Sequence, residues 1–500
     1  MEIKPDKLIE LLDGNIVKTF IKSKKIKIAG IKDNSELIDK DDVFIAFKGH
    51  TLDGHDYISS AIEKGASLII AQNENKIPSN FTKDYIIVKD IKKAAAVLAH
   101  QIYNISTKDF QIFGVTGTNG KSTTVSLVHH ILRKNNKNST LISTVEIKIN
   151  DDIIKEPYNT TPGIVELSQI LKISKEKNIQ YINMEVSSHA IAQRRIEDTK
   201  YDIISFTNIT RDHLDYHSSF EDYINTKLSL VNYLKDDGVI IINNDKLDKN
   251  IFVNSGKKVI TYGFNKGSDF VLENFQQTAN QMRFTLTSQS FEKYEIRSQM
   301  VGKFNVYNIT NAFIIAYLLG IDKDEIANAI FSFKGVRGRF QIVPSSLSLG
   351  FTAIIDFAHT PDALNEVLET ASTLTDGRII TVFGAGGNAD QGKRKIMGEV
   401  VSSKSDVIVL TNDDPKDEDP EKIIEEVSKG INKNKHFIVI LDRETAIDTA
   451  LRFANKGDIV IIAGRGHEKY QLFSHGRKIP FDDFEVTKKL IEKLKRSLGK

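Results

Sequence analysis

QIFGVTGTNGKSTTVSLVHHILRKN, Gln111–Asn135, is the stretch on which the reading of the fold turns. Its first residues are an apolar strand feeding glycine, and KSTTVSLVHHILRKN carries helical spacing. A strand, a glycine loop and a helix in that order let backbone N–H groups wrap a chain of phosphates. The loop itself, Gly114–Thr124, reads GVTGTNGKSTT. Lys121 is placed to reach the outer phosphates, and the Ser122 hydroxyl is placed to ligate Mg²⁺. The general P-loop spacing wants a glycine at position 115, where this chain has Val115 flanked by Gly114 and Gly117.

Apolar strands and helical stretches alternate on both sides of the loop. YINMEV (Tyr181–Val186), DIISFTNI (Asp202–Ile209) and GVIIINND (Gly238–Asp245) continue the same unit. From about Gly335 the alternation restarts with TAIIDF, RIITVFG, DVIVLTN, HFIVILD and DIVIIAG. The fold class is therefore α/β with parallel sheets, and the C-terminal part is doubly wound, with ligands at the carboxyl ends of its strands. Asp356, Gly384, Asn412, Asp413 and Gly464 stand at those ends. Before the loop, DVFIAF (Asp42–Phe47), a Gly- and His-rich KGHTLDGHDY, a helix stopped at Gly65 and a strand at Ser67–Ala71 form a further α/β region. VFGAGGNAD (Val382–Asp390) matches the G-x-G-x-x-A dinucleotide pattern, yet Gly392 interrupts the helix that should begin there. A tight loop is favoured over NAD binding.

Five hundred residues predict three or four domains. Lys+Arg of 68 against Asp+Glu of 66 leaves +2, which argues against a wholesale polyanion binder, so no nucleic-acid partner is expected. With no cysteine, thiolate metal sites, disulfides and cysteine nucleophiles are excluded together. The opening MEIKPDKLIELLDGN has acidic residues where a signal peptide is apolar, and no run of 18 apolar residues occurs. A cytoplasmic protein without a membrane span, and a monomer, is expected.

Two further clusters end predicted strands. MEVSSHA (Met184–Ala190) holds Glu185 and His189, and ITRDHLDYH (Ile209–His217) holds Asp212, His213, Asp215 and His217. A carboxylate from one and an imidazole from the other are expected to hold a divalent ion beside the phosphates. No H-E-x-x-H spacing supports hydrolytic zinc. Lys227, read alone, is an ordinary helix-face lysine.

GTNGKS, YNTTP, EVSSHAIAQRR, TRDHLDYH, FNVYN, GRFQ, DFAHTPDAL, FGAGGNADQGKRKIMG, DDPKDEDP and GRGHEKYQ follow one another along nearly the whole chain. Together they resemble the Mur ligase superfamily, and within it the branch that adds the third amino acid of the peptidoglycan stem peptide. The resemblance implies three domains: residues 1–105 for a UDP-sugar, 106–336 for ATP, and a Rossmann-like 337–500 for the incoming amino acid. ATP would phosphorylate the D-glutamate carboxylate of UDP-MurNAc-L-Ala-D-Glu. The amine of a diamino acid would then attack the acyl phosphate, leaving an amide and phosphate, with positioning and charge neutralisation doing most of the catalysis.

Residue by residue, the resemblance assigns Gly117, Thr118, Asn119, Gly120, Lys121, Ser122 and Thr123 to ATP. Glu185 and His213 are implied metal ligands. Lys227 matches the lysine this family carbamylates, whose anion holds a second Mg²⁺. Asn308 and Asp356 match positions at the adenine and ribose, and Arg339 and His359 positions near the phosphates. For the UDP-sugar the matches are Ser35, His50, Thr51, Leu52, Asn159, Thr160, Thr161, Ser187, Gln193 and Arg195. Many relatives have Asp-Ser-Arg where this chain has Asn34, Ser35 and Glu36.

The implied acceptor pocket holds Arg394, Asp413, Asp414, Pro415, Lys416, Gly464 and Glu468. Arg394 suits an α-carboxylate through its planar fork. Enzymes adding meso-diaminopimelate typically show Asp-Asn-Pro-Arg, and here Asp414 and Lys416 replace the Asn and Arg. The first change adds negative charge and the second gives up the fork, so L-lysine or L-ornithine is favoured and meso-diaminopimelate stays open. A folylpolyglutamate synthetase-like ligase, a P-loop NTPase without ligase chemistry and a dinucleotide-binding module are the rival readings.

Overall fold

The computed structural model describes residues 1–49, 52–78, 81–435 and 437–498. The chain forms two compact units, one of Met1–Gly114, Lys137–Asp202 and Asn232–Lys235, the other of Val115–Asn136, Ile203–Val231 and Asp236–Lys500.

In the first unit a five-stranded sheet has the order Ile16–Phe20, Tyr85–Val88, Leu68–Ala71, Val43–Ile45 and Ile31–Lys32. The first pairing is antiparallel and the rest are parallel. Leu68–Ala71 and Tyr85–Val88 are buried along their whole length, as parallel strands covered on both faces must be. Helix Ile91–Tyr103 starts at Asp90, whose carboxylate accepts from the N–H groups of Lys92 and Lys93. It lays Ala94, Ala95, Leu98 and Ala99 into the core. The same unit pairs Ser139–Ile142 with Tyr181–Glu185 in parallel, which puts Glu185 at a strand's carboxyl end.

In the second unit helix Lys121–Lys134 follows the glycine loop. It packs against Lys303–Leu318, a helix buried almost all round, from Asn305 to Ala316, and so without a polar stripe. Strand Leu234–Asn243 pairs in parallel with Lys258–Gly263. An antiparallel meander then follows, Phe270–Gln277, Met282–Ser288 and Phe291–Ser298. The sequence reading passed over it, although Met282, Phe284 and Leu286 alternate with Arg283, Thr285 and Thr287 at the period of two that marks a half-buried strand.

The C-terminal sheet has the order Gln341–Val343, Thr352–Asp356, Ile459–Ala463, Ile379–Phe383, Val407–Leu410 and Phe437–Val439. Its first pairing is antiparallel and the others are parallel. Alternate residues of the same strands feed two cores. Ile354 and Ile461 pack with Leu364, Met397 and Ile423 on one face, while Ile355 and Ile462 pack with Ile447, Leu490 and Ile491 on the other. Helices on both faces of a parallel sheet are the doubly wound arrangement. Among the described residues no helix is long and apolar enough to cross a membrane.

Candidate active site

The glycine loop takes its shape from residues just beyond strand Tyr201–Phe206. Gly117 has φ 148°, and a Cβ there would lie 1.9 Å from Thr207 Oγ1, so any other residue would clash. Thr207 Oγ1 donates to Asn119 O at 2.6 Å, and Asn119 N–H donates to Asn208 Oδ1 at 2.9 Å. Thr118 Oγ1 accepts from Thr210 N–H at 2.9 Å and lies 3.0 Å from the Tyr223 hydroxyl. The offset glycine pattern thus follows from how closely strand-end side chains approach the loop. Lys121 Nζ donates to the carbonyls of Gly117 and Thr118 at 2.9 Å each. The Ser122 hydroxyl accepts from Arg339 Nη2 at 3.3 Å, and Thr123 is buried beside it in the first helical turn.

Lys227 is not on a solvated helix face. Its side chain is 1% exposed, Nζ donates to Gly117 O at 2.9 Å and stands 4.8 Å from the Tyr223 ring centroid. Burial, with the charge of Lys121, pushes its ammonium well below the ordinary lysine value against the opposing pull of Asp212. His213, at φ 55°, sits with Nε2 3.3 Å from Asp212 Oδ2. Asp212 is buried, and although burial disfavours its charge, His213, Lys393 and His359 hold its carboxyl far below the usual range. The other two residues of that motif part company. His217 is buried against Tyr223 and faces Asp222 at 3.6 Å, whereas Asp215 is exposed.

Gly120 and Asn308 line a small cleft of about 40 Å³ beside the loop, together with Phe304 and Tyr307. Arg339 lies with its guanidinium carbon 4.3 Å from the Phe357 ring centroid. Asp356 does not present a free carboxylate. Oδ2 accepts from Phe340 N–H at 2.6 Å and Oδ1 from Ala358 N–H at 2.7 Å, while burial pushes its carboxyl up to about 6. His359 Nδ1 meets Phe357 O at 2.7 Å, and burial with Lys393 nearby lowers its imidazole below the usual value.

The second glycine cluster is a packing device. A Cβ on Gly387 would lie 1.9 Å from Pro415 O, and Gly387 N–H donates to Asp414 O at 2.7 Å. The loop is pressed on the DDPK segment, and its helix begins only at Gly392. Close backbone packing uses the glycines that a dinucleotide phosphate would need.

Two residues of the implied acceptor pocket have charged partners that the sequence does not show. Arg394, 1% exposed, does not hold its fork free. Glu418 takes both Nη atoms at 2.9 Å, Glu426 takes Nη1 at 2.8 Å and Gly386 O takes Nη2 at 3.1 Å. Nor does Asp414 add an uncompensated negative charge, because it is ion-paired with the fully buried Arg465 and accepts from Leu472 N–H at 3.0 Å. Arg465 also lies 3.7 Å from Asp413 and 3.5 Å from Glu468. Asp413 Oδ2 is buried, has no hydrogen-bond partner among the described residues and backs onto Gly464. Burial, with Asp413 and Asp414 adding, pushes the Glu468 carboxyl up to about 8 despite Arg465. Pro415 is buried and Lys416 half-buried, the latter donating its N–H to Leu472 O at 3.0 Å. Beneath the pocket Arg443 and Asp483 form a fully buried pair, and Arg443 also donates to Asn412 O and Ala463 O at two strand ends. Arg443 and Arg465 escaped the sequence reading, since a lone arginine in a helix or after a strand carries no distinguishing pattern.

In the first unit Glu185, 0% exposed, accepts from Thr144 N–H at 2.8 Å and from Thr144 Oγ1 at 3.1 Å. Thr144 Oγ1 also lies 3.2 Å from Thr160 Oγ1, and Thr161 Oγ1 donates to Glu185 O at 2.8 Å and accepts from Ser187 N–H at 3.1 Å. Arg195 donates to Gln193 Oε1 at 2.9 Å and to Thr161 O at 3.2 Å. Six expected residues therefore form one network, with Thr144 the member that the sequence reading missed. Asn159 is half-buried, Ser35 is buried in the Ser35–Leu37 turn and Leu52 is exposed. His50 and Thr51 lie outside the described residues.

Three regions match family models in chain order. Residues 27–110 match the Mur ligase family catalytic domain, 115–316 the Mur ligase middle domain, and 338–466 the Mur ligase glutamate ligase domain. Over 467 residues the chain is 37% identical to the UDP-N-acetylmuramoyl-L-alanyl-D-glutamate–2,6-diaminopimelate ligase of Aquifex aeolicus, covering 93% of this chain and 94% of that one. The chain belongs to the Mur ligase family. A second Mur ligase, the enzyme of the same name from Bacteroides thetaiotaomicron, is 38% identical over 474 residues, 93% of this chain and 96% of that one. A solved structure of a ligase with that name superposes with a TM-score of 0.67 at 26% identity, covering 99% of each chain. As a Mur ligase the chain is an ATP-dependent ligase of peptidoglycan synthesis.

Proposed function

We propose that this Mur ligase joins meso-diaminopimelate to UDP-MurNAc-L-Ala-D-Glu through an acyl phosphate; the names of its relatives give UDP-N-acetylmuramoyl-L-alanyl-D-glutamate and 2,6-diaminopimelate as the two joined by them. The UDP-sugar belongs to residues 1–105, ATP to 106–336 and the amino acid to 337–500, with the Thr160–Arg195 network also turned to the UDP-substrate. The observation that carries the choice of amino acid is the Arg465–Asp414 pair. With Asp414 neutralised, the argument for a lysine or ornithine side chain loses its charge, and cationic Lys416 remains for a second carboxylate. Asp413 and Glu468 supply negative charge for ammonium groups, and Arg394 takes a substrate carboxylate by exchange with Glu418 or Glu426.

On the ATP side, Lys121 and Arg339 neutralise the phosphates while Asn308 borders the adenine cleft. Asp356, through Phe340 and Ala358, positions Arg339 and His359 rather than spending both oxygens on the ribose. Among donors that suit magnesium, Ser122 offers a hydroxyl and His213 an imidazole in the second unit, and Glu185 a carboxylate in the first. Lys227 fits carbamylation, because burial favours the neutral amine that attacks carbon dioxide. An N–C bond forms as one C–O π bond of carbon dioxide opens onto oxygen, the nitrogen releases one proton, and the neutral amine becomes a carbamate anion fit for a second ion. When bound, magnesium would neutralise charge on the transferring phosphoryl group. The enzyme works as a cytoplasmic monomer in this reading.

Purified protein is to be mixed with ATP, Mg²⁺, the UDP-dipeptide and one diamino acid at a time, and the UDP-tripeptide read by mass. Product is expected with meso-diaminopimelate, and turnover with L-lysine or L-ornithine alone would overturn the assignment.

A further inference from the structure

The segment Thr210–His213 and the segment Asn388–Arg394 meet through two ion pairs of opposite sense. Arg211 donates from Nε to Asp390 Oδ2 at 3.0 Å and from Nη2 to Asp390 Oδ1 at 3.2 Å. Next along the chain, Asp212 Oδ1 faces Lys393 Nζ at 3.6 Å, with both of those side chains buried. Adjacent residues of opposite charge on one segment thus face a reversed pair on the other, and a slip in register would oppose like charges.

The seat is built for the guanidinium. A Cβ on Gly392 would lie 2.4 Å from Arg211 Nη2. Asp390 is buried, and its Oδ1 also accepts from Gly392 N–H at 2.9 Å, at the start of helix Gly392–Lys404. That helix carries Lys393 and Arg394. On the other side Thr210 N–H is bonded to Thr118 Oγ1 in the glycine loop, and Asp212 accepts from His213 N–H at 2.9 Å. A continuous path of hydrogen bonds and ion pairs therefore runs from the phosphate loop to the helix bearing Arg394.

We propose that Arg211 and Asp390 are positioning residues of the ligase reaction, a latch that sets the acceptor-side helix against the phosphate-side loop. The inference rests on the function proposed above, since it assigns the two sides their ligands. Arg211 is half-exposed and Asp390 is buried; the effect of the pair on the reaction falls on the chemical step, which depends on placement of the reacting groups.

The cysteine-free chain permits a test with two readouts. In Glu221→Cys/Lys395→Cys protein carrying a spin label at each site, the parent should show one narrow distance distribution, broadened by Arg211→Ala or Asp390→Asn. In unlabelled protein each single variant should lower kcat on the order of tenfold, leaving KM for ATP unchanged, and the double variant should fall no further than the worse single. Arg211→Lys, which keeps charge without the fork, should lie between. Narrow distances in both singles, kcat within about twofold of the parent, or losses that multiply in the double variant would each overturn the latch. If the parent forms no tripeptide with any diamino acid, the proposed function fails while the distance measurement still judges the latch.

Discussion

Burial pushes the Lys227 ammonium down and the Glu468 carboxyl up to about 8, in two charge clusters of opposite polarity within one compact unit. Around the glycine loop Lys227 lies beside the cation of Lys121 and is opposed by the buried carboxylate of Asp212. In the C-terminal pocket Asp413, Asp414 and Glu468 surround the buried guanidinium of Arg465. Each cluster keeps its majority charge partly suppressed, because an isolated ion in the interior is costly. A ligand of opposite sign restores that charge, so the first suits phosphates and the second suits ammonium groups. The near-zero net charge of the chain conceals this local asymmetry.

The polarity difference breaks most readily at the phosphate side. Lys121→Ala and Lys227→Ala should each cut turnover by roughly 10²–10³-fold, the scale of a lost charge-stabilising group. Small carboxylates should partly rescue Lys227→Ala, with steady-state phosphate release as the measurement; full activity in both variants would erase the contrast. On the other side, Asp414→Asn should cost about 2–3 kcal/mol of stability in urea unfolding, because it leaves Arg465 buried with less counter-charge. The smallest effect is a pH dependence. With its carboxyl raised from 4.5 to about 8, folded Glu468 contributes stability that is complete below pH 4.5 and lost as pH rises through 8. Glu468→Gln lacks that loss, so its Tm relative to the parent should climb by about 1–3 °C between pH 5 and pH 9. A pH-independent difference would mean that Glu468 is not held neutral.

Element positions were legible wherever burial makes a run continuously apolar. TAIIDF, RIITVFG and DIVIIAG became strands Thr352–Asp356, Ile379–Phe383 and Ile459–Ala463. The meander between 270 and 298 is half-solvated, and its weaker alternation escaped notice. Site residues were legible in proportion to the local pattern around them. Gly117 to Ser122 form a motif, and the ten spaced segments carry the family. Lys227 had no pattern of its own, and its burial arises from Tyr223 and the glycine loop, which folding brings together across more than a hundred residues.

The order of strands and helices, the phosphate loop and the membership of the Mur ligases are properties of the sequence, because hydrophobic periodicity and glycine spacing are local. Charge state is not local. Whether Asp414 adds negative charge, whether Arg394 is free and whether Lys227 is an ammonium or an amine depend on partners 24 to 110 residues distant. Those partners and the depth of burial decide the free energy of each ionised form, and only the tertiary structure supplies both.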